Sequence, residues 1–302
     1  MSTPTLQLKT LLGNYANTLA LKGGVLRPAS FVLDFADVKV PNRAFKRAVR
    51  ELEFDVAELA LVTFLQAKAY GKPMTLMPAV IGAGRFQHHC LVYNALRPRV
   101  TVDQLRGKRI GIRAHAQTTV TWVRGVLVDD YGVDLRGIQW VTFEEGHLAE
   151  FPDPPGFERA PEGTSAVEML LAGELDAAII GTDLPDDPRL QSVLPDPHNA
   201  ALAWSARHQM RPINHMVALD VDLCHQHPEV VRELYALLLQ SKQMAKVDSQ
   251  ATIDLTPFGI EPNRRSLALL IRYAYQQGLI PRANAVDELF EEFTQALGTS
   301  AL

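Results

Sequence analysis

The sequence predicts an α/β protein of two domains, with mixed, mainly parallel sheets and helices on both faces. Its 302 residues are enough for about two domains. Short apolar runs that read as strands alternate with amphipathic stretches of helical period, and such alternation builds a mainly parallel sheet. The hydrophobic share, 47%, is enough to fill ordinary cores.

In order, residues 6–12 read as the first strand, followed by a turn over 13–15 and a short helix ending near Gly23 and Gly24. Residues 31–35 are the second strand, and 44–52 a helix rich in Arg and Lys. A short strand over 54–56 leads to Glu58 and an apolar helix over 59–69. Strands follow at 73–80 and 89–93, then a surface connection with a short helix over 101–105. The stretch 107–130, GKRIGIRAHAQTTVTWVRGVLVDD, centres the second domain. It gives a strand at 109–113, a polar turn at 114–117, and a helix from Thr118 on which Val120, Val123, Val126, Leu127 and Tyr131 recur at helical spacing. Next come a strand over 138–142, a loop over 144–163 rich in Pro, Gly and acids, a helix carrying Val167, Leu170 and Leu171, and a strand over 175–180. Residues 182–197 read as a loop dense in Asp and Pro, 213–219 as a strand, and the last quarter as helices broken over 258–263. Val230, Leu234, Leu237 and Leu238 share one helical face, and Leu267, Leu270, Ile271 and Tyr275 another.

Charge and cysteine use narrow the function. A formal net charge of -4 gives no electrostatic footprint for nucleic acid. Cys90 and Cys224 stand in neither a disulfide framework nor a metal-ligand spacing, so both are expected to be buried, reduced thiols. Residues 1–24 lack the apolar core and cleavage site of a secretory signal, and no apolar run reaches membrane-spanning length. The chain is therefore expected to be cytoplasmic, with no membrane partner.

Several segments carry a resemblance. EFDVAEL (53–59), GRFQHHCLVYN (84–94), LRGKRIGI and TWVRGVLVDDYGV (within 105–133), PINHMV (212–217) and NRRSLALLIRYAYQQGLIPR (263–282) resemble the 4,5-dihydroxyphthalate decarboxylase family over nearly the whole chain. The resemblance implies a two-lobed type II periplasmic-binding-protein-like fold with the ligand in a cleft. It implies a first lobe of 1–93 and 214–302, a second of 94–213, and crossings near 91–94 and 203–216. Where the family has Tyr-Asp-Arg-Thr, Phe-Arg-His-Ser and Glu-Leu-Ser-Leu, this chain has Tyr15-Ala16-Asn17-Thr18, Phe86-Gln87-His88-His89 and Glu58-Leu59-Ala60-Leu61. Adjacent carboxylates favour bidentate arginines. With two Arg positions replaced, the resemblance points to a hydroxylated aromatic carboxylate more firmly than to the dihydroxyphthalate itself.

A carboxylate leaves an aromatic ring when the carbon bearing it is protonated while a ring hydroxyl loses its proton and pushes electrons in. That requires a general acid, a base, and cations for any carboxylate that stays. Histidine titrates in the right range. His88 matches a family His and is the expected proton donor, on a strand beside Arg85, whose charge would lower its pKa. His215, which also matches a family His, is the second acid/base candidate. Glu58, read at a strand-to-helix junction, either faces the ligand or caps the helix. The anion is expected where a helix opens at Thr118 and Thr119, close to Arg113, His115 and Arg124, because a helix N-terminus offers unpaired N–H groups and a favourable dipole. A simple capped turn accounts for the same residues, and a pair with an acid of its own helix would account for Arg124. Arg85, beside His88; Asn17, in the altered turn; and Asp183, beyond the carboxyl end of a parallel strand, complete the substrate-binding candidates.

The function these observations predict is a cofactor-independent carboxy-lyase for a small hydroxylated aromatic carboxylate, with no metal and no nucleic-acid partner; a homo-oligomer is compatible with it. The alternative from another class is a non-catalytic solute-binding protein for a small carboxylate, which needs the same cleft.

Overall fold

β1 (Leu6–Leu11) buries Leu8, Thr10 and Leu11 and leaves Gln7 and Lys9 exposed, the pattern of a strand with one face on a core. The computed structural model, which describes residues 6–82, 84–245 and 254–298, continues with α1 (Leu19–Lys22), β2 (Phe31–Phe35), α2 (Phe45–Arg50), β3 (Val56–Ala60), α3 (Leu61–Ala69) and β4 (Met74–Val80). β5 (Leu91–Asn94), β6 (Arg109–Ile112), α4 (Thr118–Tyr131), β7 (Gln139–Thr142), β8 (Glu158–Arg159), α5 (Ala166–Ala172), β9 (Ala177–Ile179), β10 (Leu190–Ser192) and α6 (Pro197–His208) follow. The chain ends through β11 (His215–Asp220), α7 (Val221–Gln226), α8 (Pro228–Met244), α9 (Ile260–Gln276) and α10 (Glu291–Leu297). Two units result, one of Met1–Arg85 with Ile213–Leu302 and the other of Phe86–Pro212.

In the first unit the strand order is β2-β1-β3-β11-β4. β1 runs parallel to β2 and β3, whereas β11 is antiparallel to both of its neighbours. The returning strand thus fills the place between β3 and β4. Its core joins Leu8, Val56, Met77, Val217 and Leu219 to Val230, Leu234 and Leu238 of α8, whose spacing lays one apolar stripe on the sheet. On α9, Leu267, Leu270 and Ile271 are buried as their spacing predicts, but Tyr275 is 51% exposed and Tyr273 is buried in its stead.

In the second unit the order is β10-β5-β9-β6-β7-β8, with β6 parallel to β7 and β9, β7 parallel to β8, and β5 antiparallel to β9 and β10. Val120, Val123 and Leu127 of α4 pack on Ile110, Ile112 and Ile179. Gly132, in the left-handed conformation at φ 65°, ends that helix.

Several expectations are corrected. Among the described residues β5 pairs only within the second sheet, and the compact units divide after Arg85 and after Pro212, where 93 and 213 were expected; residues 1–5, 83, 246–253 and 299–302 of the expected first lobe lie outside the described residues. Residues 197–208, partly assigned to a crossing, are helix α6. Asp196 accepts the Asn199 N–H at 3.1 Å and Pro197 occupies the first turn, both ordinary start signals. β8 and β10 arise inside segments read as loops, each held by pairing with a longer neighbour. Among the described residues no helix is long and apolar enough to cross a membrane.

Candidate active site

Glu58 lies within β3 at 0% exposure, and a carboxylate buried so deeply needs donors around it. Oε2 accepts the Gly13 N–H at 2.8 Å, while Oε1 accepts the Tyr15 hydroxyl at 2.8 Å and meets His215 Nδ1 at 2.7 Å. Register explains the meeting. Val217 stands opposite Glu58 and His215 opposite Ala60, so His215 and Glu58 are diagonal neighbours on one face of the sheet. Glu58 is therefore neither at a junction nor a cap: α3 starts after Ala60 and has no side-chain cap bond.

Because a carboxylate only accepts, His215 Nδ1 carries its hydrogen, and Nε2 is the nitrogen that gives or takes a proton. The imidazole packs edge-on against Phe45, centroids 5.4 Å apart, with its side chain 27% exposed. Tyr15 was missed as a site residue, although it and Thr18 are the two residues that keep their places in the altered family turn. Burial first, and then Glu58, holds its phenol above the usual range, so it remains a donor.

The 13–18 turn is built for this contact. Thr18 Oγ1 donates to Gly13 O at 2.7 Å and accepts the Tyr15 N–H at 3.0 Å. A Cβ on Gly13 would fall 2.4 Å from the Tyr15 ring and 2.9 Å from Glu58 Oε2, which reserves the position for glycine. Asn17 is buried and ties the turn to β4 through its Nδ2 and Val80 O at 2.9 Å; its Oδ1 has no hydrogen-bond partner. Lys22 donates to Leu12 O and lies 5.4 Å from the Phe35 centroid; burial lowers its pKa and Glu58 opposes that shift.

His88 differs from expectation in setting. It opens a single 3-10 turn before β5 and is 3% exposed, packed between Phe86 and Trp204 at centroid distances of 6.2 and 6.0 Å. Neither ring nitrogen has a hydrogen-bond partner. Its pKa is pushed down to about 4, by burial first, with Asp130 opposing and His89 and Arg207 adding, so Arg85 is not the cause that the sequence suggested. Arg85 itself is half-buried at the end of the first stretch of its unit.

Around the opening of α4, Thr118 and Thr119 are the first two helical residues, each 3% exposed. The cap position belongs to Gln117, which makes no side-chain cap bond, so Thr118 is not the cap. His115 Nδ1 lies 3.0 Å from Arg124 Nη1, which also donates to His115 O at 3.2 Å. Arg124 pairs with no acid of its own helix: it is buried with its guanidinium carbon over the Trp140 ring, 4.0 Å from the centroid. Arg113 Nε is buried without a hydrogen bond, 3.8 Å from Glu144 Oε2. Asp183 sits on an exposed turn after β9. The candidates thus gather as Glu58, His215 and the Asn17 turn in one unit, and Arg113, His115, Thr118, Thr119 and Arg124 in the other; His88 has its own aromatic enclosure.

The buried histidines make a pH prediction. His88 and His115 are held at about 4 and about 3, chiefly by burial, against an ordinary value of 6.5. Below 6.5 the unfolded chain binds more protons than the native one, so stability is complete above that pH and declines as pH falls toward 4. Urea midpoints measured from pH 7 to pH 4 should fall, and His88→Gln should flatten the decline; an unchanged slope would remove His88 as a contributor.

Comparison with known proteins places the architecture first. The periplasmic aliphatic sulphonate binding protein SsuA of Escherichia coli superposes with a TM-score of 0.57 at 12% identity, covering 95% of this chain and 99% of that one. The Candida albicans CA3427 gene product, described as having the generic periplasmic binding protein fold, gives 0.56 at 12% identity, covering 96% and 95%. The fold is thus of the type II periplasmic-binding-protein kind, a likeness of fold alone. A 4,5-dihydroxyphthalate decarboxylase of Comamonas testosteroni is 29% identical over 301 residues, 93% of this chain and 89% of that protein. One of Pseudomonas putida is 30% identical over 215 residues, 66% and 81%. The chain belongs to the 4,5-dihydroxyphthalate decarboxylase family. No protein-family model matches it.

Proposed function

We propose that this protein is a carboxy-lyase that removes a carboxylate from a hydroxylated aromatic acid of the phthalate type, with His215 as its proton donor. The observation that carries this reading is the Glu58–His215 contact at 2.7 Å, with Tyr15 on the same carboxylate oxygen. Glu58 fixes the tautomer and stabilises the imidazolium, so that Nε2–H can be delivered to a ring carbon. A ring hydroxyl para to the leaving group loses its proton and pushes an electron pair into the ring as that carbon takes the proton. The bond to the carboxylate then breaks, carbon dioxide leaves, and the bonding pair restores the aromatic ring. The phenolate recovers its proton.

His215 takes the role first given to His88, whose two unpartnered nitrogens are enclosed by Phe86 and Trp204. Within the second unit, the opening of α4 at Thr118 and Thr119 is a candidate anion site of its own. A cytoplasmic location belongs to the same proposal and is supported by the buried Cys90 and Cys224, neither of which is in a disulfide.

The test is a panel of hydroxylated phthalates and benzoates in which carbon dioxide release and ligand-induced thermal shifts are both followed. Release is expected from phthalates with a hydroxyl para to a carboxylate and not from unsubstituted phthalate. Binding across the panel with no release from any member would make the protein a solute binder.

A further inference from the structure

Two donors converge on one oxygen in the first unit. Glu58 Oε1 accepts the Tyr15 hydroxyl at 2.8 Å and the His215 Nδ1–H at 2.7 Å, whereas Oε2 accepts the Gly13 N–H at 2.8 Å. A carboxylate oxygen offers two lone pairs, so Oε1 is filled. The imidazole and the phenol therefore divide the charge of an oxygen whose side chain is fully buried.

The turn that carries Tyr15 holds it in that position. Its N–H donates to Thr18 Oγ1 at 3.0 Å, and its carbonyl accepts the Thr18 and Leu19 N–H groups at 2.9 and 3.0 Å. A Cβ built on Gly13 would fall 2.4 Å from ring atom Cε2, and one on Gly82 would fall 3.5 Å from Cε1, so glycines stand against both edges of the ring. Burial, and then Glu58, holds the phenol above its ordinary range, so the hydroxyl keeps its proton and donates to the carboxylate. Lys22, a cation within the field of Glu58, gives its ammonium to Leu12 O and leaves Oε1 to the other two.

In a water-poor interior a charge-assisted hydrogen bond is strong, and an imidazolium paired with an undivided carboxylate would be held too firmly to act as a good acid. We propose that Tyr15 is a positioning residue for the proton donor: by occupying part of Glu58 Oε1 it limits the hold of that oxygen on the His215 imidazolium and keeps the Nε2 proton transferable. The transfer half rests on the decarboxylase reading; the sharing of Oε1 does not. A Tyr15 that merely props Glu58 has the opposite consequence, because its loss would loosen the contact between Glu58 and His215 and not tighten it.

The sharing is tested by long-range ¹H–¹⁵N spectra of the imidazole at pH 8, with His215 assigned by the signals lost in His215→Gln. Tyr15→Phe keeps the ring against its glycines and removes one donor, so the Nδ1 signal should move downfield as its N–H binds Oε1 more strongly. 3-Fluorotyrosine placed at position 15 keeps ring and hydroxyl and donates more strongly, so it should move the same signal upfield. An unmoved signal, an upfield shift in Tyr15→Phe, or a mixture of Nδ1–H and Nε2–H forms would overturn the sharing. The transfer half is tested with 4,5-dihydroxyphthalate or, if that is inert, with the hydroxylated phthalate or benzoate turned over fastest. Tyr15→Phe should lower kcat roughly 3- to 10-fold, the worth of one hydrogen bond, with KM within about two-fold of the parent. Unchanged kcat, or a parallel rise in KM, would overturn it. If the parent turns over none of these compounds, the transfer half falls with the decarboxylase reading, and the Nδ1 signal still decides the sharing.

Discussion

Replacing His215 by Gln is expected to lower turnover by roughly 10²–10⁴, the span usual for loss of a general acid, while substrate affinity changes little. The expectation follows from geometry. Nδ1 is engaged by Glu58 at 2.7 Å, the ring is braced by Phe45, and the side chain remains 27% exposed, so Nε2 is the only nitrogen of the imidazole left for substrate. Glutamine keeps hydrogen-bonding capacity but carries no transferable proton near neutrality. Single-turnover kinetics separate the two effects. Parallel loss of affinity and turnover would make His215 a residue that positions the substrate, and full activity would remove it from the chemistry.

Glu58→Leu should cost both stability and activity. The carboxylate is fully buried, and its removal leaves the Gly13 N–H and the Tyr15 hydroxyl without their acceptor. Each unpaired buried donor costs about 1–3 kcal/mol, so a loss of about 3 kcal/mol or more is expected from urea unfolding. The same change frees His215 to adopt either tautomer, which adds a fall in turnover comparable to that of His215→Gln. Glu58→Gln, which keeps one oxygen acceptor but no charge, should recover part of the stability and little of the activity. A Glu58→Leu protein within about 0.5 kcal/mol of the parent would contradict the hydrogen-bond assignment.

Glu58 and His215 were both legible in the sequence, through the segments EFDVAEL and PINHMV, but their partnership was not. They are 157 residues apart, and they meet because β11 inserts between β3 and β4, a pairing no local periodicity encodes. The same limit explains Tyr15, whose hydroxyl finds Glu58 only once the turn from Gly13 to Thr18 folds back on the sheet. Arg124 was read as part of the anion corner, with a pair to an acid of its own helix as the alternative. It is buried because Trp140 of β7 and Phe157, in the loop after β7, enclose it, a tertiary effect. Helix α6 buries only Ala201, Trp204 and Ser205 and so shows a weak apolar stripe, yet its Asp196–Pro197 start was readable. β8 and β10 owe their existence to pairing, and strands of two and three residues leave no periodic trace.

The proposed role of His215 is to protonate an aromatic carbon so that carbon dioxide is released. The most direct measurement is incubation of parent and His215→Gln proteins with 4,5-dihydroxyphthalate in deuterium oxide, with the product followed by proton NMR. A product with one deuterium at the ring position vacated by the carboxylate is expected from the parent and nearly none from His215→Gln. Deuterated product formed equally fast by both proteins would contradict the role of His215, and the absence of product from the parent with this compound and with every hydroxylated phthalate and benzoate of the panel would contradict the decarboxylase reading.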